Sequence, residues 1–173
     1  MKKTIMIITL TVTIFFCACG NTNPTVTEPE KITVTPTAGA GGYVYVNSGA
    51  TFEIDAPAAA PLEKVGEPLS YFEASSCAFG EQDKVRTYPG FRIDTYQIDG
   101  VDYIMDVVLT DDTVLTSEGI RVGDSTDAMI TAYGDPLEQT DSYALYKKDD
   151  MKLVFLTDGG RITTIEYLSL KLD

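Results

Sequence analysis

Gly123-Asp124-Ser125 follows a short apolar run and sets a serine hydroxyl where a strand turns into a helix, a place from which serine can act as a nucleophile. That chemistry needs a base to take the hydroxyl proton, and the chain contains no His. The same residues serve as a helix N-cap, with Asp124 or Ser125 accepting from the first turn, and this is the reading adopted. Carboxylates are the other reactive stock: Asp99, Asp102 and Asp106, then Asp111-Asp112 and Asp149-Asp150. None falls into the D-x-[DN]-x-[DN]-G spacing that places hard oxygens around calcium, so neither a metal nor any other cofactor is expected. With 26 Asp+Glu in the chain they read as turn residues and solvated strand edges. Cys77 has no His to activate it and no resolving Cys, and it reads as a small buried hydrophobe. Without imidazole there are no His–metal sites either, and no enzymatic activity is expected.

Recognition is the chemistry that the remaining residues suit. The chain has ten Tyr, and several stand in runs that alternate like strands, among them Tyr96, Tyr103, Tyr143 and Tyr146. In residues 91–98, period-two alternation turns Phe91 and Ile93 to one face and Arg92, Asp94 and Tyr96 to the other. In the next run, Tyr103, Met105, Val107 and Leu109 share one face, while Ile104, Asp106 and Val108 share the second. One face must be covered by the rest of the domain. The other keeps aromatic, apolar and charged side chains together, the composition of a protein-recognition surface. Arg92, Asp94, Tyr96, Ile104, Tyr143 and Tyr146 are the candidate binding face. Tyr also favours strands for packing reasons alone, which is the simpler account of the same residues.

The segments that position these residues read as a tandem repeat. Residues 52–69 align without gaps on residues 120–137, with Gly66 over Gly134 and apolar pairs at Phe52/Ile120, Ile54/Val122, Leu62/Ile130 and Leu69/Leu137. Further on, residues 93–100 answer residues 152–159. Each copy reads as a short strand, a helix stopped by Gly-acid-Pro, then more strands. In the second copy the spacing predicts a strand at 119–122, a helix ending at Gly134, and strands at 142–147, 151–156 and 161–168. In the first, Pro57 and Pro61 confine the helix start to 58–61, and Asp99-Gly100 joins strands at 91–98 and 102–109. The expected fold class is α+β: two tandem helix-plus-antiparallel-strand repeats forming one largely antiparallel sheet with the helices on one face. The first repeat is bounded at 43–115 and the second at 116–173.

Ahead of the domain, Met1-Lys2-Lys3 is a basic start and residues 4–16 form an apolar run. That run is shorter than the ~20 residues that span a bilayer core and suits a secretory leader, placed at residues 1–18. It leads into Phe16-Cys17-Ala18-Cys19-Gly20. These residues resemble the lipobox of bacterial lipoprotein signal peptides, with Ala18 before the cut and Cys19 as the acceptor thiol; the family more often has Leu where Phe16 stands. The resemblance implies cleavage before Cys19 and lipidation of Cys19 with acyl chains of the palmitate class. It further implies residence on the extracytoplasmic face of the cell membrane. Residues 19–42, rich in Thr, Pro and Gly, read as a disordered tether with a reach of about 25 Å. Loss of residues 1–18 removes Lys2 and Lys3 and no acid, taking the formal charge from −13 to −15. Such a balance excludes a nucleic-acid partner and disfavours adsorption to anionic lipid through charge, so the membrane is held by lipid.

Gly119-Ile-Arg-Val-Gly-Asp-Ser, a helix, and Tyr133-Gly-Asp-Pro136 are together similar to the SmpA/OmlA module of small envelope lipoproteins. In tandem they resemble the β-lactamase-inhibitor-protein fold. This implies a non-catalytic, protein-binding module at the cell envelope, with a protein partner. Two alternatives accompany it: an inhibitor of a secreted enzyme, and a carboxylate-dependent cell-wall hydrolase working through paired acids.

Overall fold

The structure, a computed structural model, describes residues 41–77 and 81–172. The leader, Cys19 and the tether up to residue 40 lie outside the described residues. Two strands, β1 (Val44–Asn47) and β2 (Ala50–Glu53), form a hairpin, followed by the helix α1 (Ala59–Val65). Then come β3 (Ser70–Ser75), β4 (Gln82–Tyr88), β5 (Phe91–Ile98) and β6 (Val101–Leu109). After the helix α2 (Thr126–Tyr133) the chain runs through β7 (Glu138–Gln139), β8 (Tyr143–Lys148), β9 (Met151–Asp158) and β10 (Arg161–Ser169), and into a 3₁₀ turn at Leu170–Leu172. β3 to β10 make one eight-stranded antiparallel sheet in the order β3-β4-β5-β6-β10-β9-β8-β7.

The α+β expectation is overturned. Strand accounts for 51% of the structure and helix for 13%, so the domain is mostly β and not a pair of balanced helix-plus-strand repeats. The reason lies in the helix limits. Pro61 sits in the first turn of α1, and Gly66 (φ 76°) and Gly134 (φ 79°) end α1 and α2 after seven and eight residues. Helices of two turns cannot shield so wide a sheet. Much of the cover comes instead from the β1–β2 hairpin, which sequence patterning missed, turned at Ser48-Gly49 with both residues at positive φ. The expected strand at 119–122 is also absent; those residues form turns leading to the α2 cap.

The core lies between the hairpin and helices on one side and the covered face of the sheet on the other. Tyr45 packs against Phe52, Phe91 and Tyr167, with ring centroids 5.8, 5.3 and 6.2 Å apart. At the α2 end, Tyr133 meets Tyr146 at 5.5 Å and Phe155 at 5.2 Å, above fully buried Met129. Where the apolar cover runs out, under β4 and β5, the same face turns polar. There Asp102 accepts from Lys84 Nζ at 2.7 Å, Arg86 at 3.1 Å and Gln97 Nε2 at 3.1 Å. The Asp102 backbone carbonyl accepts from Ala58 N at 2.9 Å, which ties the entry to α1 onto β6.

If the hairpin seals the core, Phe52→Ala should cost about 3–5 kcal/mol in urea unfolding of the chain. Leu137→Ala, at a site 69% exposed, should change stability by no more than about 0.5 kcal/mol. Equal losses at the two sites would contradict this division of labour.

Candidate functional site

The opposite face of the sheet has no helix or hairpin laid on it among the described residues. Strand register sets its residues in rows. One row reads Val85, Asp94, Asp106, Leu168, Lys152 and Lys147 across β4, β5, β6, β10, β9 and β8. The next reads Thr87, Arg92, Val108, Glu166, Val154 and Leu145. Acids therefore gather over the centre of the sheet, lysines stand on the β8–β9 side, and apolar residues alternate with both.

At the middle of this face Asp94 and Asp106 are direct cross-strand partners. Arg92 lies between them, its Nε donating to Asp94 Oδ1 at 2.9 Å and its guanidinium reaching Asp106 Oδ2 at 3.5 Å. Both carboxyls are buried while Arg92 keeps 39% of its side chain exposed, so the cation forms the roof and the acids the floor. Asp106 Oδ1 is buried with no hydrogen-bond partner among the described residues, and so is Asp83 Oδ1. Burial pushes Asp106 up to about 7, Asp94 and Glu166 add to the rise, and Arg92 opposes it. Asp94 is raised by burial too, against the pull of Arg92. One guanidinium offsets only part of the cost of two buried carboxylates, so Asp106 holds a proton near neutrality. A carboxyl poised there can give or take a proton at physiological pH.

The predicted site residues fall into three groups. Arg92, Asp94 and half-buried Tyr143 lie on the open face. Tyr143 donates its hydroxyl to Glu138 on the neighbouring strand. Ile104 and Tyr146 do not lie there: they are 0% and 3% exposed and belong to the core. For Ile104 the cause is a β-bulge. Asp94 pairs with Asp106 but Thr95 pairs with Ile104, so Met105 is an extra residue that shifts the alternation of β6 by one. Ile104 thereby joins Val107 and Leu109 on the covered face, and Tyr103 joins Asp106 on the open one. For Tyr146 the cause is simpler: it is three residues from Tyr143, and a regular strand turns such a pair to opposite faces. Its hydroxyl donates to the Gly134 carbonyl at 2.8 Å, fixing the end of α2.

Tyr96 starts on the open face, stacked on Tyr103 with centroids 5.6 Å apart, yet it is fully buried. Its hydroxyl donates to Asp55 Oδ1 at 2.9 Å, and Ser169 Oγ donates to the same carboxylate at 2.9 Å. Lys171 Nζ completes the group, 3.4 Å from Asp55 Oδ2 and 3.3 Å from the Tyr96 hydroxyl. Burial, with Asp55 beside it, raises the Tyr96 phenol above its ordinary value. Tyr96 is thus a tie between β5, the chain after β2 and the C-terminal turn. A cleft of about 380 Å³ adjoins this tie, lined by Tyr43, Glu53, Asp55, Asp149, Met151 and Lys171 among others.

The remaining chemical candidates resolve into structure. Ser125 Oγ accepts from Ala128 N at 3.2 Å, as the N-cap reading expects, and Asp124 accepts from Arg121 N at 3.0 Å. Cys77 is exposed, against the buried position expected for it. Among the described residues no group of three or more Cys, Asp or Glu is arranged to hold a metal ion. Sequence reasoning missed Asp106 as a site residue, although its place opposite Asp94 follows from the Asp99-Gly100 turn once the bulge is known.

Asp106 has a higher pKa folded than unfolded, so its contribution to stability is complete below the ordinary carboxylate range and is lost as pH rises through about 7. With no His in the chain, no imidazole obscures that window. The thermal midpoint should therefore fall from about pH 5 to about pH 7 and level off above, and Asp106→Asn should remove most of that fall and raise the midpoint at the upper end. A wild-type profile that is flat across this range would contradict the assignment. No family model, curated protein or solved structure matches the chain, so what this face does must be read from its own geometry.

Proposed function

We propose that this chain is a lipoprotein of the bacterial envelope, held at the extracytoplasmic face of the membrane by acyl chains on Cys19. Its β domain is then a non-catalytic module that binds another protein through the open sheet face. The observation that carries the binding half is the pair of open rows. They set Arg92, Glu166 and Lys152 among the half-buried Val85, Val154 and Leu168, a mixture that offers apolar contact and charge registration at once. The anchoring half is supported by the order of residues 1–19: basic start, short apolar run, small residue, Cys. Two or three acyl chains, each buried CH₂ contributing about 0.8 kcal/mol, suffice for stable attachment.

In this reading the buried carboxylates serve recognition. Arg92 is already oriented by Asp94 and Asp106, so it meets a partner carboxylate or carbonyl with its side-chain entropy largely spent. Binding that buries Arg92 further strengthens its pairing with Asp106 and lowers the affinity of Asp106 for its proton. Affinity should then rise with pH through neutrality.

Two measurements test the two halves. Cells fed radiolabelled fatty acid should label the wild-type chain and not Cys19→Ser; label on the variant would overturn the anchor. Photo-crosslinkers placed at Val154 and at Thr163, an exposed residue outside the open rows, should capture partners differently in intact cells. Capture from Val154 should be lost in Arg92→Glu. Equal capture from both positions, unaffected by Arg92→Glu, would overturn the binding face.

A further inference from the structure

The two edges of the large sheet are unlike. β7 is two residues long and carries Glu138, a short charged edge of the kind that resists pairing. β3 is six residues long, exposed throughout, and contains no Pro, Lys or Arg. Among the described residues no strand pairs with its outer side, which leaves a row of backbone N–H and C=O groups open. Leu69, Tyr71 and Phe72 stand there 72%, 50% and 64% exposed. Such an edge invites another strand.

We propose that β3 is a dimer edge: two copies of this chain pair β3 with β3, antiparallel and centred on Phe72, about a two-fold axis normal to the sheet. Opposed residues of an antiparallel pair share a face, so the strand can pair with its own copy only in registers centred on a residue. Centring on Glu73 sets two carboxylates against each other. Centring on Tyr71 runs past the start of the strand and puts Glu73 opposite Leu69. Centring on Phe72 pairs Ser70 with Ala74, Tyr71 with Glu73, and Phe72 with Phe72, with no like charges opposed.

The neighbouring strand completes the match. Phe72 already lies beside Val85, so the dimer forms an apolar row, Val85–Phe72–Phe72–Val85, across the joined open face. On the covered face Tyr71 lies beside Arg86 and Glu73 beside Lys84. Pairing therefore inserts the Glu73 carboxylate of one copy next to a Tyr71 ring that holds Arg86 at 5.3 Å in the other, twice by symmetry. Tyr71 donates to Glu73 Oε2 at 2.5 Å within one chain, so these two groups are compatible neighbours already. The contact needs neither the anchor nor the protein partner proposed above, and it leaves both open faces on the same side.

Sedimentation equilibrium of the full chain in detergent, at about 0.15 M salt to screen the repulsion of two acidic copies, tests this. A dimer is expected. Phe72→Lys, which sets two ammonium groups across the axis, should weaken it by about 30-fold or more. Because Phe72 is 64% exposed, the variant should keep its circular dichroism and thermal midpoint. In a Cys77→Ser background, Ser70→Cys with Ala74→Cys should oxidise to a disulfide-linked dimer, since those positions face each other. A monomer at all accessible concentrations overturns the proposal, as does a dimer indifferent to Phe72→Lys or one in which the disulfide does not form.

Discussion

An eight-stranded sheet with one apolar face must have that face covered, and this chain covers it with small pieces. Tyr45 and Phe52 of a four-residue-strand hairpin reach Phe91 and Tyr167 over the middle of the sheet. Met129 and Tyr133 of α2 reach Tyr146 and Phe155 over its second half. Among the described residues nothing that large remains for the other face. The openness of that face, the switch to a polar network around Asp102 under β4, and the bare edge at β3 all follow from how little cover there is. Each is the sheet meeting water, or another molecule, where the lid stops.

The bulge at Met105 links this constraint to the chemistry. By adding one residue to β6 it lets Ile104 pack in the core while Asp106 stays opposite Asp94 on the open face. β10 pairs with β6 over Asp106–Leu109, and ahead of the bulge the chain at Asp55–Ala58 bonds to β6: Asp55 N donates to the Ile104 carbonyl at 2.7 Å, and Ile104 N donates to the Ala56 carbonyl at 3.0 Å. Asp55, at φ 64°, is then placed to collect Tyr96, Ser169 and Lys171. One inserted residue thus sets apart a structural carboxylate, satisfied by three donors, from a buried carboxylate pair on the open face that shares a single arginine.

Much of the second half was legible in the sequence. Alternation placed β5 at its observed limits and β8 to β10 to within two residues, and the Asp99-Gly100 turn and the Gly134 stop read directly from residue type. What was not legible depends on contacts distant in sequence. Ser48-Gly49 is a fair hairpin turn, but four-residue strands carry too little pattern to stand out beside a Thr/Pro/Gly-rich stretch. The β3–β4 hairpin was missed because its residues alternate poorly: β3 is exposed on both faces. The bulge has no local signature at all, and period-two reasoning carried across it reverses every assignment on the far side. That is why Arg92 and Asp94 were found and Ile104 was misplaced.

The central claim is that the open face carries a buried carboxyl which keeps its proton to neutrality because one arginine must serve two acids. Carboxyl-carbon NMR of selectively ¹³C-labelled aspartate, followed through a pH titration, tests it most directly. One Asp resonance, absent in Asp106→Asn, should titrate with a midpoint near 7, while the exposed Asp111, held low by Thr113, titrates below the ordinary range. A midpoint for Asp106 in the ordinary carboxylate range would contradict the account.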